Sequence, residues 1–244
     1  MGFSLMFDSL ERNLKGSLRR LQRNLFDNSK ISYSQCGEDL ILSQLFCDLG
    51  ISKINYVDVG AHHPSYLSNT YLFYSRGDIG VCIEPDPELF QQFLVNRPRD
   101  TNLNYGVGIQ EGIADFFVMS TSTLNTFSKL EADRYVSGGH KILNTLSIKI
   151  ENLNGVIERN CKRAPNLISL DIEGWDYIIL DNFDFTKCRP EVFCLETLSY
   201  TDDNCERKLT EIVELMHMNG YLTYADTYIN TIFVDRLSWE NRPL

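Results

Sequence analysis

A glycine and a glutamate lie 24 residues apart in this sequence, each at the end of a predicted strand. Gly60 follows the apolar run Asn55–Val59, and Glu84 closes the run Gly80–Glu84. A glycine at a strand-to-helix turn lets a ligand approach the backbone. A carboxylate at the end of the next strand can accept hydrogen bonds from both hydroxyls of a ribose. The pair therefore predicts a site for a cofactor that contains a nucleoside.

The residues after Gly60 indicate which nucleoside cofactor would fit. Positions 62 and 64 are histidine and proline, where a dinucleotide fingerprint has further glycines. The turn is therefore poorly suited to a pyrophosphate, which favours S-adenosylmethionine, a cofactor with one nucleoside and no phosphate. A nicotinamide-dependent oxidoreductase on the same type of sheet is one alternative. A non-catalytic binding module is another, and it would need neither Glu84 nor Asp171.

Three further carboxylates lie near the ends of predicted strands in the second half of the chain. Asp171 ends an apolar run, Glu173 follows two residues later, and Glu196 closes the next predicted strand. Because the carboxyl ends of adjacent parallel strands meet at one edge, we expect Asp171 and Glu196 to lie close together. Two close carboxylates repel, so either one is protonated or a cation bridges them. The cluster is thus a candidate general base, and Asp171 and Glu196 are candidate ligands of a divalent cation such as Mg²⁺.

The elements that must position these residues alternate between short apolar strands and helical segments. This alternation predicts an α/β fold with a mostly parallel twisted sheet and helices on both faces. Ligands bind such sheets outside the carboxyl ends of the strands. This rule selects residues 58–63, 84–86, 107–108, 171–174 and 196–197.

The remaining predicted strands cover residues 103–107, 115–119, 145–150, 221–225 and 231–235. The predicted helices cover residues 39–49, 64–75, 87–96, 151–159, 175–180 and 205–219. Residues 120–144 are predicted to form a long loop that can include helical turns.

The composition narrows the class of protein. The chain has 244 residues, 43% of them hydrophobic, and a net charge of −10, which argues against binding nucleic acid through its phosphates. Its seven cysteines include no CxxC pair. We therefore expect no zinc site. We expect a cytoplasmic protein with reduced cysteines. The acceptor is expected to be a small molecule or a glycan.

The first 30 residues differ from the rest of the chain. They carry six basic and three acidic side chains, and their apolar residues recur at helical spacing, at Phe7, Leu10, Leu14, Leu18, Leu21 and Leu25. This pattern predicts an amphipathic helical extension over residues 1–30, ahead of one domain over residues 31–244 with an insertion around 115–144. We expect residues 1–28 to pack on the domain or to form a homo-oligomer. The alternative is a helix lying on the inner face of a membrane.

Several short segments occur in the order and spacing of a known family. They are Ser34-Gln35-x-Gly37-Glu38-Asp39, Tyr56–Ala61, Ser68–Tyr71, Gly80–Pro85, Arg97-Pro98, Ser122–Leu124 and Leu170–Gly174. On these segments the chain resembles the FkbM family of S-adenosylmethionine-dependent methyltransferases. The resemblance implies a class I, Rossmann-like methyltransferase fold. It also implies methylation of a hydroxyl, often on a sugar of a polysaccharide, glycolipid or natural product.

The resemblance also implies roles for individual residues. Asp58, Gly60 and Ala61 would line the methionine end of the cofactor, and Glu84 would bind the ribose. Gln35 and Glu38 would close over the amino-acid part, while Asp171 and Glu173 would face the methyl group. The other candidate cofactor-binding residues, in shared segments or after strands, are Ser68, Asn69, Pro85, Asp86 and Gly108. His62 and His63, beside the turn, are candidate bases, and the insertion with Ser122 and Thr123 is expected to form the acceptor side.

Overall fold

A sheet with helices on both faces forms the centre of this computed structural model, which describes residues 29–200 and 206–243. Residues 1–28, with almost all of the predicted N-terminal extension, lie outside the described residues. The strands are β1 (Asn55–Val59), β2 (Ile79–Ile83), β3 (Thr101–Leu103), β4 (Gly106–Gly108), β5 (Gly112–Met119), β6 (Ile142–Asn152), β7 (Leu167–Leu170), β8 (Val192–Glu196), β9 (Leu198–Tyr200), β10 (Glu206–Lys208), β11 (Tyr221–Asp226) and β12 (Asn230–Asp235). The helices are α1 (Glu38–Asp48), α2 (Tyr71–Ser75), α3 (Pro87–Asn96), α4 (Lys129–Ser137), α5 (Leu153–Asn160), α6 (Asp176–Asp181), α7 (Thr210–Met218) and α8 (Arg236–Glu240).

The main sheet has a mostly parallel order. Within the described ranges its seven strands lie in the order β3-β2-β1-β7-β8-β12-β11. The strands from β3 to β8 run parallel, while β12 pairs antiparallel with both β8 and β11. The carboxyl ends of β1, β2, β7 and β8 therefore meet at one edge. This order confirms the predicted mostly parallel sheet.

Alternate residues of the central strands pack on opposite faces of the sheet. In β1, Val57 belongs to a buried cluster that includes Val156 of α5 and Ile212 of α7. Its neighbour Tyr56 belongs to a second cluster, which includes Leu42 of α1. Both faces are thus covered by helices, as the apolar runs predict. Among the described residues, no helix combines the length and the apolar character needed to cross a membrane.

A smaller sheet is built from residues 106–152. In it β6 pairs in parallel with β4 and antiparallel with β5. The prediction for residues 120–144 is confirmed in part, because α4 provides the helical turns, but the stretch also contains the first residues of β6, where no strand was expected. In α4 two of the nine residues, Ala132 and Tyr135, are buried. They are too few to make the apolar stripe by which a surface helix is recognised in a sequence.

The predicted strand over residues 103–107 is divided between two sheets. Its first residue ends β3 of the main sheet, and its last two belong to β4 of the smaller one. Asn104 lies at the break, where its Nδ2 donates to the carbonyl oxygens of Glu84 at 2.8 Å and Pro85 at 3.0 Å. A side chain that donates hydrogen bonds to nearby backbone carbonyls competes with the backbone hydrogen bonds between strands, and the strand ends here.

Two predicted helices are shorter in the structure. The helix expected over residues 64–75 is reduced to α2, because Leu67 has a φ of 54°, outside the helical region. The helix expected over residues 205–219 begins at Thr210. The residues before it, 206–208, pair instead with β9 as the strand β10.

Candidate active site

A cavity of about 320 Å³ lies at the carboxyl edge of the main sheet, where β1, β2, β7 and β8 end. Open sheets with helices on both faces bind their ligands at this edge. Twelve residues that the sequence predicts for the site line the cavity: Gln35, Asp58, Gly60, Ala61, His62, Ser68, Asn69, Glu84, Pro85, Asp171, Glu173 and Glu196. The strand-end rule therefore brings most of the predicted residues into one place.

Gly60 makes the turn after β1 possible. Its φ is 75°, and a Cβ at this position would lie 1.8 Å from the carbonyl oxygen of Asp171. The N–H groups of Gly60 and Ala61 both donate to the carbonyl oxygen of Ile83, at 3.1 and 3.0 Å. The turn is thus packed between the ends of the two neighbouring strands, with space for glycine alone.

Glu84 is held in place by the backbone on both sides. Its side chain is buried, with Oε2 accepting the His62 N–H and Oε1 accepting the Asp86 N–H, each at 2.7 Å. Burial raises the pKa of Glu84 to about 8. Each carboxylate oxygen can accept more than one hydrogen bond, so both remain able to bind a hydroxyl. The arrangement suits the two hydroxyls of a ribose.

Asp58 lies in β1 and is also buried. Its Oδ2 accepts a hydrogen bond from Thr70 Oγ1 at 2.5 Å. Burial raises the pKa of Asp58, and the Arg97 guanidinium and the Thr70 hydroxyl act against that rise. Beside it, Asn69 Nδ2 donates to Ser169 Oγ of β7 at 3.1 Å. The loop before α2 therefore fixes polar side chains on two strands beneath the cavity.

The three predicted carboxylates converge. One carboxylate oxygen from each of Asp171, Glu173 and Glu196 lies within 4.8 Å of the other two. Burial and the nearby Asp176 carboxylate raise the pKa of Asp171 to about 7. Burial, with Asp171 close by, raises the pKa of Glu173 to about 8 and that of Glu196 well above its ordinary value. Burial and the neighbouring Asp171 carboxylate therefore favour the protonated form of Glu196.

The backbone around Glu173 adopts an uncommon conformation. Its φ is 53°, and that of Gly174 is 105°. The buried Asp176 carboxylate accepts the N–H of Ile172 at 3.1 Å and that of Gly174 at 3.3 Å, which holds this turn together. Backbone conformations of this kind cluster at functional sites, where the surrounding structure over-determines them.

One wall of the cavity comes from the insertion. This insertion wall consists of Phe116, Ser122, Thr123, Leu124, Asn125, Phe127, Glu131, Arg134 and Tyr135. Ser122 Oγ lies 3.1 Å from His62 Nε2, and Asn125 Nδ2 donates to Asp86 Oδ2 at 3.0 Å. Two hydrogen bonds thus connect the wall to the loops that follow β1 and β2.

Glu38 and His63 are not among the residues that line the cavity. Glu38 Oε1 accepts hydrogen bonds from Thr227 Oγ1 at 2.6 Å and Asn230 Nδ2 at 3.1 Å. The ring of His63 accepts the N–H of Tyr66 at Nδ1, at 2.9 Å. Glu38 therefore stabilises the loop between β11 and β12, and His63 stabilises the loop that follows it in sequence.

Asp86 and Gly108 also lie outside the cavity lining. Asp86 caps α3, since its Oδ1 accepts the N–H of Glu88 at 2.8 Å. Gly108 belongs to β4, where a Cβ would lie 2.5 Å from Ile150 Cγ2. Each of these two residues thus has a role in the fold that does not depend on a ligand.

Sequence reasoning missed several residues of the site. They are Thr70, Asn125, Glu131, Arg134, Tyr135, Ser169 and Asp176. Four of them lie in the insertion, where no periodicity indicated structure. Ser169 is different, because a polar residue inside the apolar run LISL was a signal that could have been used.

A family model described as the methyltransferase FkbM domain matches residues 58–223, about two thirds of the chain. The chain belongs to the FkbM methyltransferase family. Its fold is the class I methyltransferase fold that the resemblance implied, and it is a methyltransferase of the S-adenosylmethionine-dependent type. This assignment favours the methyltransferase over the oxidoreductase and the binding module. No curated protein matches the chain in sequence.

Three solved methyltransferases are similar to this one in structure. A TehB-like S-adenosylmethionine-dependent methyltransferase from Corynebacterium glutamicum is 9% identical, with coverage of 92% of this chain and 99% of that one and a TM-score of 0.41. Precorrin-6y C5,15-methyltransferase from Geobacter metallireducens is 12% identical (86% and 94%, TM-score 0.40). Burkholderia thailandensis 1,6-didemethyltoxoflavin-N1-methyltransferase, solved with S-adenosylhomocysteine, is 10% identical (96% and 89%, TM-score 0.40).

The charges around the cavity of this methyltransferase fit its cofactor. Among the described residues that line the cavity, seven are aspartate or glutamate. Arg134 is the single residue of that lining that is lysine or arginine. S-adenosylmethionine carries a sulfonium and an ammonium group, so it brings positive charge into an acidic site. Gly60 and Ala61 would lie along its amino-acid part, and Glu84 would hold the ribose.

Proposed function

We propose that this methyltransferase methylates a hydroxyl oxygen of a sugar in a polysaccharide, glycolipid or glycosylated natural product. The observation that carries the proposal is the convergence of the Asp171, Glu173 and Glu196 carboxylates in the cavity. A sugar hydroxyl is a weak nucleophile at neutral pH and needs a base, whereas a neutral amine does not. A carboxylate cluster within the cavity therefore supports an oxygen acceptor.

Asp171 is the base in this proposal. When bound, the cofactor supplies an electrophilic methyl group on a cationic sulfur. Asp171 takes the proton of the acceptor hydroxyl, since a pKa of about 7 leaves much of it ionised at neutral pH while keeping it basic. Burial and the charge of Asp171 keep Glu196 in its protonated form, which leaves Asp171 as the ionised member of the pair. Glu173 directs the hydroxyl, and holding the reacting groups in line contributes much of the rate.

The insertion wall supports a sugar as the acceptor. Hydroxyl and amide groups of Ser122, Thr123 and Asn125 lie in it beside the rings of Phe116 and Phe127. A few placed polar groups among apolar side chains fix the orientation of a small ligand. A sugar ring, with hydroxyls at its rim and C–H groups on its faces, matches this mixture.

A divalent cation is the alternative to direct base catalysis. Oxygen ligands from Asp171 and Glu196, with Glu173 as a third, are the type that Mg²⁺ prefers. We favour the direct base because protonation of Glu196, which burial and the Asp171 charge favour, already relieves the repulsion of this pair without a cation.

The experiment is methyl transfer from S-adenosylmethionine with a labelled methyl group to a panel of neutral oligosaccharides, glycolipids and small amines. We expect label in a sugar fraction as a methyl ether, identified by NMR of the product. The matched control is Asp171→Asn, which keeps the size of the side chain and should reduce transfer about a hundredfold. Label only in amine products would overturn the proposal.

A further inference from the structure

A fully buried arginine lies behind Asp58. Arg97 follows α3, and none of its side chain is exposed. Its Nε donates to Asp100 Oδ2 at 2.7 Å, and its Nη2 donates to the Tyr56 hydroxyl at 2.8 Å. The guanidinium carbon also lies 5.2 Å from the centre of the Tyr74 ring. A guanidinium removed from water needs this complete set of partners, which fixes its position.

The third guanidinium nitrogen of Arg97 is linked through Thr70 to Asp58, which lines the cavity. Nη1 donates to Thr70 Oγ1 at 2.9 Å, and Thr70 Oγ1 donates to Asp58 Oδ2 at 2.5 Å. The direct distance from Nη1 to Asp58 Oδ2 is 3.9 Å. A hydroxyl can accept and donate at the same time, so Thr70 bridges the guanidinium and the carboxylate. Thr70 is itself fully buried.

The charges of this buried group do not balance. It contains two carboxylates, Asp58 and Asp100, and one guanidinium. Asp100 is the closer partner of Arg97 and also accepts the Gly80 N–H at 2.9 Å and the Tyr56 hydroxyl at 3.0 Å. Asp58 is the member that lines the cavity. The unbalanced negative charge is therefore presented to the bound ligand, where it can attract a cation.

We propose that Thr70 is a positioning residue for the cofactor, whose hydroxyl holds Asp58 as a carboxylate for the ammonium group of S-adenosylmethionine. Burial alone favours the protonated form of Asp58, and the Thr70 and Arg97 donors oppose it. Without the hydroxyl, Asp58 would lose its bonded link to Arg97. The proposal concerns the amino-acid end of the cofactor and is independent of the acceptor proposed above.

The test compares Thr70→Val, which replaces the hydroxyl by a methyl group, with Thr70→Ser, which keeps it. Isothermal titration uses two probes, S-adenosylhomocysteine and 5′-methylthioadenosine, and the second lacks the amino-acid part. We expect Thr70→Val to raise the Kd of S-adenosylhomocysteine about tenfold and to leave that of methylthioadenosine unchanged, since one charge-assisted contact is weakened. Thr70→Ser should bind both probes as the wild type does.

The matched control is Thr231→Val, because Thr231 is equally buried and its Oγ1 bonds to Thr197 Oγ1 at 2.6 Å, outside the cavity lining. It should leave both affinities unchanged. Equal weakening of both probes in Thr70→Val, or no weakening, would overturn the proposal, as would a Thr70→Ser variant that behaves like Thr70→Val.

If Thr70→Val does not fold, Asp58→Asn takes its place, and the same selective loss of S-adenosylhomocysteine is expected. An equal loss of both probes would again contradict the proposal. If the wild-type protein binds neither probe, the proposed role of Thr70 in cofactor binding is refuted. A protein that binds both but methylates no hydroxyl would contradict only the acceptor proposed above.

Discussion

The Tyr135 hydroxyl donates a hydrogen bond to Glu173 Oε2, which joins the helix of the insertion directly to the carboxylate cluster. The same loop is held at a second point, because Thr126 Oγ1 donates to the carbonyl oxygen of Glu173 at 2.7 Å. The insertion wall therefore does more than border the cavity. It fixes one of the residues that we expect to contact the acceptor.

The turn at Gly60 provides a test of the site's geometry. Gly60→Ala should lower the free energy of unfolding by about 4 kcal/mol or more, because the new Cβ would overlap the Asp171 carbonyl oxygen. Gly77→Ala is the matched control, since Gly77 has a φ of 96° but no atom within 4 Å of a Cβ. It should lose only about 1 to 2 kcal/mol, from the backbone conformation alone. Urea unfolding measures both, and similar losses would contradict the packing described here.

Glu84→Gln should weaken the binding of S-adenosylhomocysteine by about 2 kcal/mol, because one of the two oxygens that can accept a ribose hydroxyl becomes an NH2 donor. Calorimetric titration measures the change. Glu88→Gln, on the exposed side of α3, makes the same chemical change away from the cavity and should have no effect. Unchanged affinity in Glu84→Gln would mean that this carboxylate does not bind the ribose.

Asp171→Asn and Glu196→Gln should each reduce turnover about a hundredfold while leaving the affinity for S-adenosylhomocysteine nearly intact. Assays of the wild type with and without a chelator separate the two proposed roles of these carboxylates. Full activity in chelator supports direct base catalysis. Loss of activity that Mg²⁺ or Mn²⁺ restores would instead make Asp171 and Glu196 metal ligands.

The protein without ligand should become less stable as the pH rises from about 5 to 8.5. Burial raises the pKa of both Glu84 and Glu173 to about 8, so the folded state binds protons that the unfolded state has already released. The stabilisation is complete below the unfolded pKa and is lost as the pH rises through the folded pKa. Thermal unfolding across this range should show the decline, with a smaller slope in Glu84→Gln. Stability that increases toward pH 8.5 would contradict these pKa shifts.

The main sheet could be predicted closely from the sequence because its strands are buried on both faces. The run Asn55–Val59 is a strand with the same bounds in the structure, and the residues after it line the cavity. The smaller sheet was predicted only in part: the strands expected over residues 115–119 and 145–150 lie within β5 and β6, but their pairing and full length were missed, because β6 is buried only near its C-terminal end and α4 beside it is mostly exposed. The pattern of apolar residues carries little information where an element packs through a few side chains.

The site was predictable in part for a related reason. Position after a strand identified Glu84 and Asp171, because the sheet itself brings those ends together. It could not separate them from Asp86, which caps a helix at the same edge. The role of Glu38 was implied by a shared segment, and its contacts to Thr227 and Asn230 lie nearly two hundred residues away in sequence. Only the three-dimensional structure relates residues over such a separation.

The insertion wall is encoded by one uninterrupted stretch, residues 116–135, which lies between the segments that form the cofactor turn and the carboxylate cluster. If this stretch contacts the acceptor as we propose, exchanging it alone should change the acceptor preference, provided that the partners of His62, Asp86 and Glu173 are kept. This modularity makes the stretch the natural unit for chimeric enzymes. It also makes it the region in which members of the family with different acceptors should diverge first.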